Sequence, residues 1–160
     1  MYTNIWYVAA RSSELEDKTL HTQMLGTNFV LFRDKKGLPA CLSNACPHRG
    51  ASLSNGSCNQ QGMVVCPFHG WQVDREGNCT LIPSVGQDDP QTAAPGVKTD
   101  YYPTVEKHGL IWVFLGDEPE AAEPIFELPE LEDPNFTYIE YDVIFESNFH
   151  LANFSNLEYV

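Results

Sequence analysis

Two short segments hold the residues best able to do chemistry: Cys46-Pro47-His48-Arg49-Gly50 and Cys66-Pro67-Phe68-His69-Gly70-Trp71. Each offers one thiolate and one imidazole, follows its cysteine with proline, and closes on glycine soon after its histidine. As spacing, the pattern is Cys-x-His, 17 intervening residues, then Cys-x-x-His. Thiolates are soft, charge-donating ligands, whereas imidazoles bind as neutral groups and leave an iron more easily reduced. Two of each suit an iron–sulfur centre with a potential above that of an all-cysteine cluster, in a window of about −150 to +300 mV. The prolines stiffen the approach to each thiolate, and the glycines let backbone amides come close to a metal–sulfur core. The alternative for Cys46, His48, Cys66 and His69 is one tetrahedral zinc ion. Common zinc modules, however, pair Cys with Cys and His with His, and a single residue between Cys46 and His48 is tight for chelating one ion.

The other ligand-type side chains have plainer readings. His21 and His108 fall at strand or turn edges and read as surface residues. Cys41 and Cys79 sit in strand runs and read as small core residues. Cys58, in the polar stretch 55–62, reads as exposed and unligated. Five cysteines are an odd number, which argues for metal ligation or free thiols in a reducing compartment over a disulfide framework. No run of apolar residues is long enough to span a bilayer, and the first residues lack the pattern of a signal peptide, so the expected location is cytoplasmic. With 22 Asp and Glu against 9 Lys and Arg, the net charge of −13 repels nucleic acid and anionic lipid. Neither nucleic acid nor membrane is expected as a partner.

The elements that must position the two segments are short apolar runs separated by Gly, Asp and Asn, the punctuation of an all-β unit. Residues 28–33, the turn 34–37 and residues 38–42 read as a hairpin. Residues 71–73, the turn 74–77 and residues 79–82 read as a second; residues 101–106, the turn 107–109 and residues 110–115 as a third. Segment 83–100, with Pro83, Asp88-Asp89-Pro90 and Pro95-Gly96, reads as a long loop. Charge then shifts sharply: residues 81–160 carry 2 basic and 16 acidic side chains against 7 and 6 in residues 1–80. Between Asp117 and Asp133 eight carboxylates alternate with prolines, which forbid a continuous helix or a central strand. The expected organisation is a β domain over 1–116, an acidic Pro-rich connector over 117–136, and the start of a second domain over 137–160. The second domain opens with a strand over 137–145 and a helix from Ser147.

The cysteine–histidine pattern is the signature of a Rieske 2Fe-2S centre. The chain resembles the N-terminal part of the large (alpha) subunit of a Rieske non-haem iron oxygenase, in its monooxygenase and O-demethylase-like branch. Asn4-Ile5-Trp6-Tyr7-Val8-Ala9 is similar to the family's opening stretch and Leu31-Phe32-Arg33-Asp34 to its hairpin. Residues 45–54 and 66–71 are similar to the two cluster loops, and Gly109-Leu110-Ile111-Trp112-Val113-Phe114 to the closing strand. The resemblance implies an all-β, antiparallel Rieske sandwich followed by the connector and an α+β catalytic domain, with a 2Fe-2S cluster held by Cys46, His48, Cys66 and His69.

The resemblance further implies an oxidoreductase that takes electrons from a reductase or ferredoxin and passes them to a mononuclear Fe(II). That iron then activates O2 to hydroxylate or demethylate an organic substrate, expected to be aromatic. A homo-oligomer, a trimer, is implied for the full-length parent. Glu158 is the candidate bridging acid between the centres, although the family more often has Asp there, and His150 is a weaker candidate iron ligand. The first mononuclear-iron histidine would then follow Glu158 beyond the sequence, so the 160-residue chain alone is not expected to turn over substrate. Rieske proteins that oxidise quinols carry two further cysteines forming a disulfide; Ala51 and Phe68 stand in those places, which implies a potential in the lower part of the range. The alternative is a stand-alone Rieske-type ferredoxin.

Overall fold

The run Phe29-Val30-Leu31-Phe32 has no polar residue to turn toward water, so a strand built from it has to be buried on both faces. The computed structural model describes residues 3–86, 93–131, 133–139, 143, 144 and 146. The chain divides into two compact units, Met1–Phe126 and Glu127–Val160. The first contains β1 (Ile5–Arg11), β2 (Leu20–Met24), β3 (Thr27–Arg33), β4 (Pro39–Ser43), β5 (Ser57–Cys58) and β6 (Val64–Val65). It continues with β7 (Gln72–Val73), β8 (Cys79–Leu81), β9 (Tyr101–Tyr102), β10 (Thr104–Lys107) and β11 (Leu110–Leu115). Neighbouring strands pair antiparallel in three sheets, ordered β1-β11-β10, β2-β3-β4-β9 and β5-β6-β7-β8. Helical structure among the described residues is confined to 3-10 turns, and no helix is long and apolar enough to cross a membrane. The expected all-β class is what forms.

The middle sheet carries a core on each face. Phe29, Leu31 and Cys41 pack with Ile111, Val113 and Leu115 of β11 and with Leu15 and Met24. On the other face Val30, Phe32, Ala40 and Leu42 pack with Leu53, Val64, Val73 and the two loop cysteines, Cys46 and Cys66. Full burial of each large aliphatic or aromatic side chain contributes about 1.5–3 kcal/mol. The second core therefore welds the small sheet β5-β6-β7-β8, whose two- and three-residue strands could not stand alone, to the larger sandwich.

All three expected hairpins form, the third with a difference. Pro103 has no N–H to give a ladder, so the run 101–106 breaks there: β9 pairs with β4 in one sheet, and β10 with β11 in another. The hairpin β2–β3, not foreseen from the sequence, turns on Leu25-Gly26, both at positive φ (52° and 79°). Its weak signal is physical, since β2 is half exposed and carries His21 and Gln23.

Three turns share one construction. Asp34, Asn59 and Asp74 each accept, through the side-chain oxygen, the N–H groups two and four residues on, at 2.8–3.0 Å. The glycine three residues on donates to the backbone carbonyl of each. The turns also grip one another. Arg75 pairs with Asp34 at 2.5 Å, and a Cβ on Gly62 would lie 2.0 Å from the Lys35 backbone nitrogen. Arg33 ties the middle sheet to the outer one through Glu106, at 2.7 and 2.9 Å.

After β11 the chain runs through a 3-10 turn at Pro119–Ala121 with mostly exposed residues. Lys107 Nζ donates to the Ile125 carbonyl at 3.1 Å and His108 Nε2 to that of Phe126 at 2.9 Å, while the Phe126 ring meets Trp112 edge-on. In the second unit, Pro129–Leu131 forms a 3-10 turn, and Asp133 accepts the Asn135 N–H. The strand expected over 137–145 is not seen at 137–139, 143 or 144; a strand needs a ladder partner, and among the described residues none pairs with these. The helix expected from Ser147, with His150 and Glu158, lies outside the described residues.

The shared turn yields a matched pair of predictions. Gly62 and Gly37 have the same φ, 73° and 77°, but nothing lies within 4 Å of a Cβ on Gly37. Gly37→Ala should cost about 1 kcal/mol and Gly62→Ala more than about 3 kcal/mol in urea unfolding, because only the second must push backbone aside.

Acid should unfold the protein through its paired carboxylates. The Arg33 hydrogen bond holds Glu106 below its ordinary pKa. Burial alone would raise Asp34, but the Lys36 and Leu38 N–H groups and Arg75 outweigh it and hold the group low. Stability from such depressed groups is complete above the ordinary carboxylate range, about 4, and is lost as pH falls through the lower folded values. Denaturation midpoints measured from about pH 6 to about pH 3 should fall in that window, and Glu106→Gln should shallow the fall.

Candidate metal centre

Two loops with one backbone plan meet at the small sheet. In the first, the Cys46 N–H donates to the Ala51 carbonyl and the Gly50 N–H returns to the Cys46 carbonyl, both at 2.8 Å. In the second, the Cys66 N–H donates to Trp71 at 2.8 Å and the Gly70 N–H to Cys66 at 3.0 Å. Gly50 and Gly70 close these loops at φ of 72° and 71°, a region that side-chain-bearing residues rarely adopt. The second loop is the tip of the β6–β7 hairpin. The first runs on from β4 and is held by Asn44, a buried amide that donates to Ser54 Oγ at 2.9 Å and accepts the Ser54 N–H at 2.8 Å.

The loops bring all four expected residues together. Cys46 and Cys66 are each only 3% exposed and belong to the core beneath the loops. The imidazoles of His48 and His69 lie outside, His48 half-buried and His69 exposed, with ring centroids 4.8 Å apart. His48 stacks on Trp71, and Phe68, 63% exposed, tilts against His69.

Electrostatics explains what such a site can hold. Burial pushes the Cys46 thiol up to about 11; the His48 and Arg49 N–H groups act in the opposite sense, and the adjacent Cys66 adds to the rise. Two buried thiolates side by side therefore need a positive core between them, and an oxidised two-iron, two-sulfide core carries a formal charge equal and opposite to theirs. Desolvation, then the nearby His69 and Arg49, lowers the His48 pKa and favours the neutral ring with a nitrogen free to bind metal. The donor set thus fits a cluster, with Cys46, His48, Cys66 and His69 able to hold it. Among the described residues no three His, Cys, Asp or Glu side chains converge on one point. Ligands shared between two irons have no need to do so.

Residues 5–103 match the Rieske [2Fe-2S] domain. The chain belongs to the Rieske [2Fe-2S] domain family. The zinc alternative falls with that match, and the cofactor of the family is the 2Fe-2S cluster. This Rieske chain is 34% identical over 144 residues to chlorophyllide a oxygenase, chloroplastic, of Arabidopsis thaliana, covering 89% of this chain and 25% of the relative. It is 40% identical over 121 residues to the oxygenase component of dicamba O-demethylase from Stenotrophomonas maltophilia, covering 76% of this chain and 34% of the relative. The crystal structure of dicamba monooxygenase bound to dicamba superposes with a TM-score of 0.70 at 37% identity, over 82% of this chain and 38% of the other. The chain spans between a quarter and about a third of the length of these two curated relatives.

The remaining candidates separate clearly. Cys41 and Cys79 are buried, as read from their strand runs, and all five thiols are free. Cys58 departs from expectation: it is half-buried, because β5 lays it against the core beneath the loops. His21 is exposed beside Asn28, and His108 occupies the β10–β11 turn. Sequence reasoning missed Asn44, whose only signal is a lone amide two residues before Cys46, and the stack of Trp71 across the loops.

Removing the Asn44 amide should loosen the first loop selectively. Asn44→Ala leaves the Ser54 N–H without its acceptor and should cost about 1–3 kcal/mol in chemical unfolding, with faster cluster loss than in the parent protein.

Proposed function

We propose that Cys46 and Cys66 hold one iron of the 2Fe-2S cluster and His48 and His69 the other, and that this domain delivers electrons in a Rieske non-haem iron oxygenase. The cluster, when bound, stores and passes on one electron. The chain's own residues do the rest. The cysteines would hold the cluster from the apolar core, which keeps water from their sulfurs. The imidazoles would hold it from the surface side, and the Gly50 and Gly70 bonds hold both loops in register. One observation carries this reading: two loops with the same hydrogen-bond plan face each other with sulfurs inside and imidazoles outside.

The similarity to chlorophyllide a oxygenase covers 89% of the chain and so runs well past residues 5–103, which favours an oxygenase over a stand-alone ferredoxin. We extend the reading to the parent protein. It accepts electrons from a reductase or ferredoxin, works as a homo-oligomer, a trimer by family resemblance, and oxygenates or demethylates an aromatic substrate at a mononuclear iron beyond this chain. Glu158 is the proposed bridging acid. The domain layout 1–116, 117–136 and 137–160 belongs to the same reading, as does a cytoplasmic, reducing location, which the five free thiols favour.

Anaerobically prepared protein should be red-brown and contain two iron and two acid-labile sulfide per chain, as the [2Fe-2S] family requires. His48→Ala and His69→Ala should each abolish the electron-paramagnetic signature of a mixed Cys/His cluster. One zinc and no sulfide in a folded, colourless sample would overturn the assignment.

A further inference from the structure

The two imidazoles are held in different ways. Trp71 belongs to the second loop, yet its ring lies flat on the histidine of the first, with centroids 4.4 Å apart and planes 5° from parallel. Its backbone is fixed by the Cys66 N–H, and its side chain rests on the core beneath the loops, so the indole is a rigid floor. Among the described residues His69 has no such floor. Its ring neighbour Phe68 is 63% exposed and tilted by 59°. A flat aromatic contact leaves a ring free to slide but not to rotate about its Cβ–Cγ bond, and rotation is what would turn an imidazole nitrogen away from a metal.

We infer that Trp71 is a positioning residue that sets the ring plane of His48 across the loop boundary and makes the two histidines of the cluster inequivalent. The inference rests on the reading of His48 and His69 as iron ligands. It goes further in making one ligand's orientation depend on a side chain of the opposite loop. Trp71 also links the loops mechanically: its carbonyl closes the loop of Cys66, while its ring holds the ligand that accompanies Cys46.

The test compares Trp71→Leu and Trp71→Phe with the parent chain, each carrying its cluster and reduced, by pulsed electron paramagnetic resonance of the histidine nitrogens. The parent must first show two nitrogen couplings; their absence would overturn the ligand reading and this inference with it, whereas the variants below test this inference alone. In Trp71→Leu one of the two couplings should shift or broaden while the other holds. Loss of the cluster to a chelator should be roughly two- to tenfold faster, the scale of one aromatic pair. Trp71→Phe keeps a flat ring and should match the parent in both measurements. If Trp71→Leu loads poorly, normal loading and couplings in Trp71→Phe still support the assignment. Unchanged couplings in a fully loaded Trp71→Leu overturn it, as does any result in which Phe behaves like Leu, because Trp71 would then act through its bulk alone.

Discussion

Two thiols buried side by side in an apolar core are the constraint on which the rest of this structure depends. Burial disfavours an unpaired charge there and pushes the Cys46 thiol up, so a positive core has to take the place of its proton, and metal binding is coupled to proton release. Holding two sulfurs at a fixed separation then falls to the backbone. Both loops meet that demand with the same pair of hydrogen bonds, and both start from strands whose side chains are locked into one core. The site is thus an extension of the hydrophobic core, and its rigidity is that of the packing beneath it.

That packing would not survive on the small sheet alone. Strands of two residues make too few ladder bonds, and the sheet is secured at the end away from the cysteines. There the turns at Asp34, Asn59 and Asp74 saturate their own backbone donors and lean on one another, with Gly62 against the Lys35 backbone and Arg75 on Asp34. Asn59 also reaches Gln72 of β7 at 2.9 Å. A clasp at one end and a metal centre at the other give each short strand a fixed point on both sides.

The middle sheet connects this assembly to the sandwich. Because β3 is buried on both faces, a disturbance of its register would move both cores together. Arg33, at its end, ties the sheet to Glu106 of β10 and to the carbonyls of Leu15 and Gly37. Asn4 closes the outer edge by accepting the Asp117 and Glu118 N–H groups where the chain leaves β11.

The sequence by itself determined the candidate donor set, the two loops and three of the hairpins, because these rest on local physics: proline and glycine limit φ, an Asp or Asn three residues before glycine closes its own turn, and a short apolar run between turns suits a buried strand. It also determined the class of centre, since ligand type and spacing are written in neighbouring residues. What the tertiary structure decided is whatever depends on residues far apart in the chain. Pro103 split one apparent strand between two sheets because β4 and β11 lie on either side of it. Cys58, polar in its sequence surroundings, was drawn against the core by the pairing of β5 with β6. Trp71 became the partner of His48 only when two loops more than a dozen residues apart were brought face to face. Spacing along the chain names the candidate ligands, but which ring lies flat on which is set by packing that no local pattern encodes.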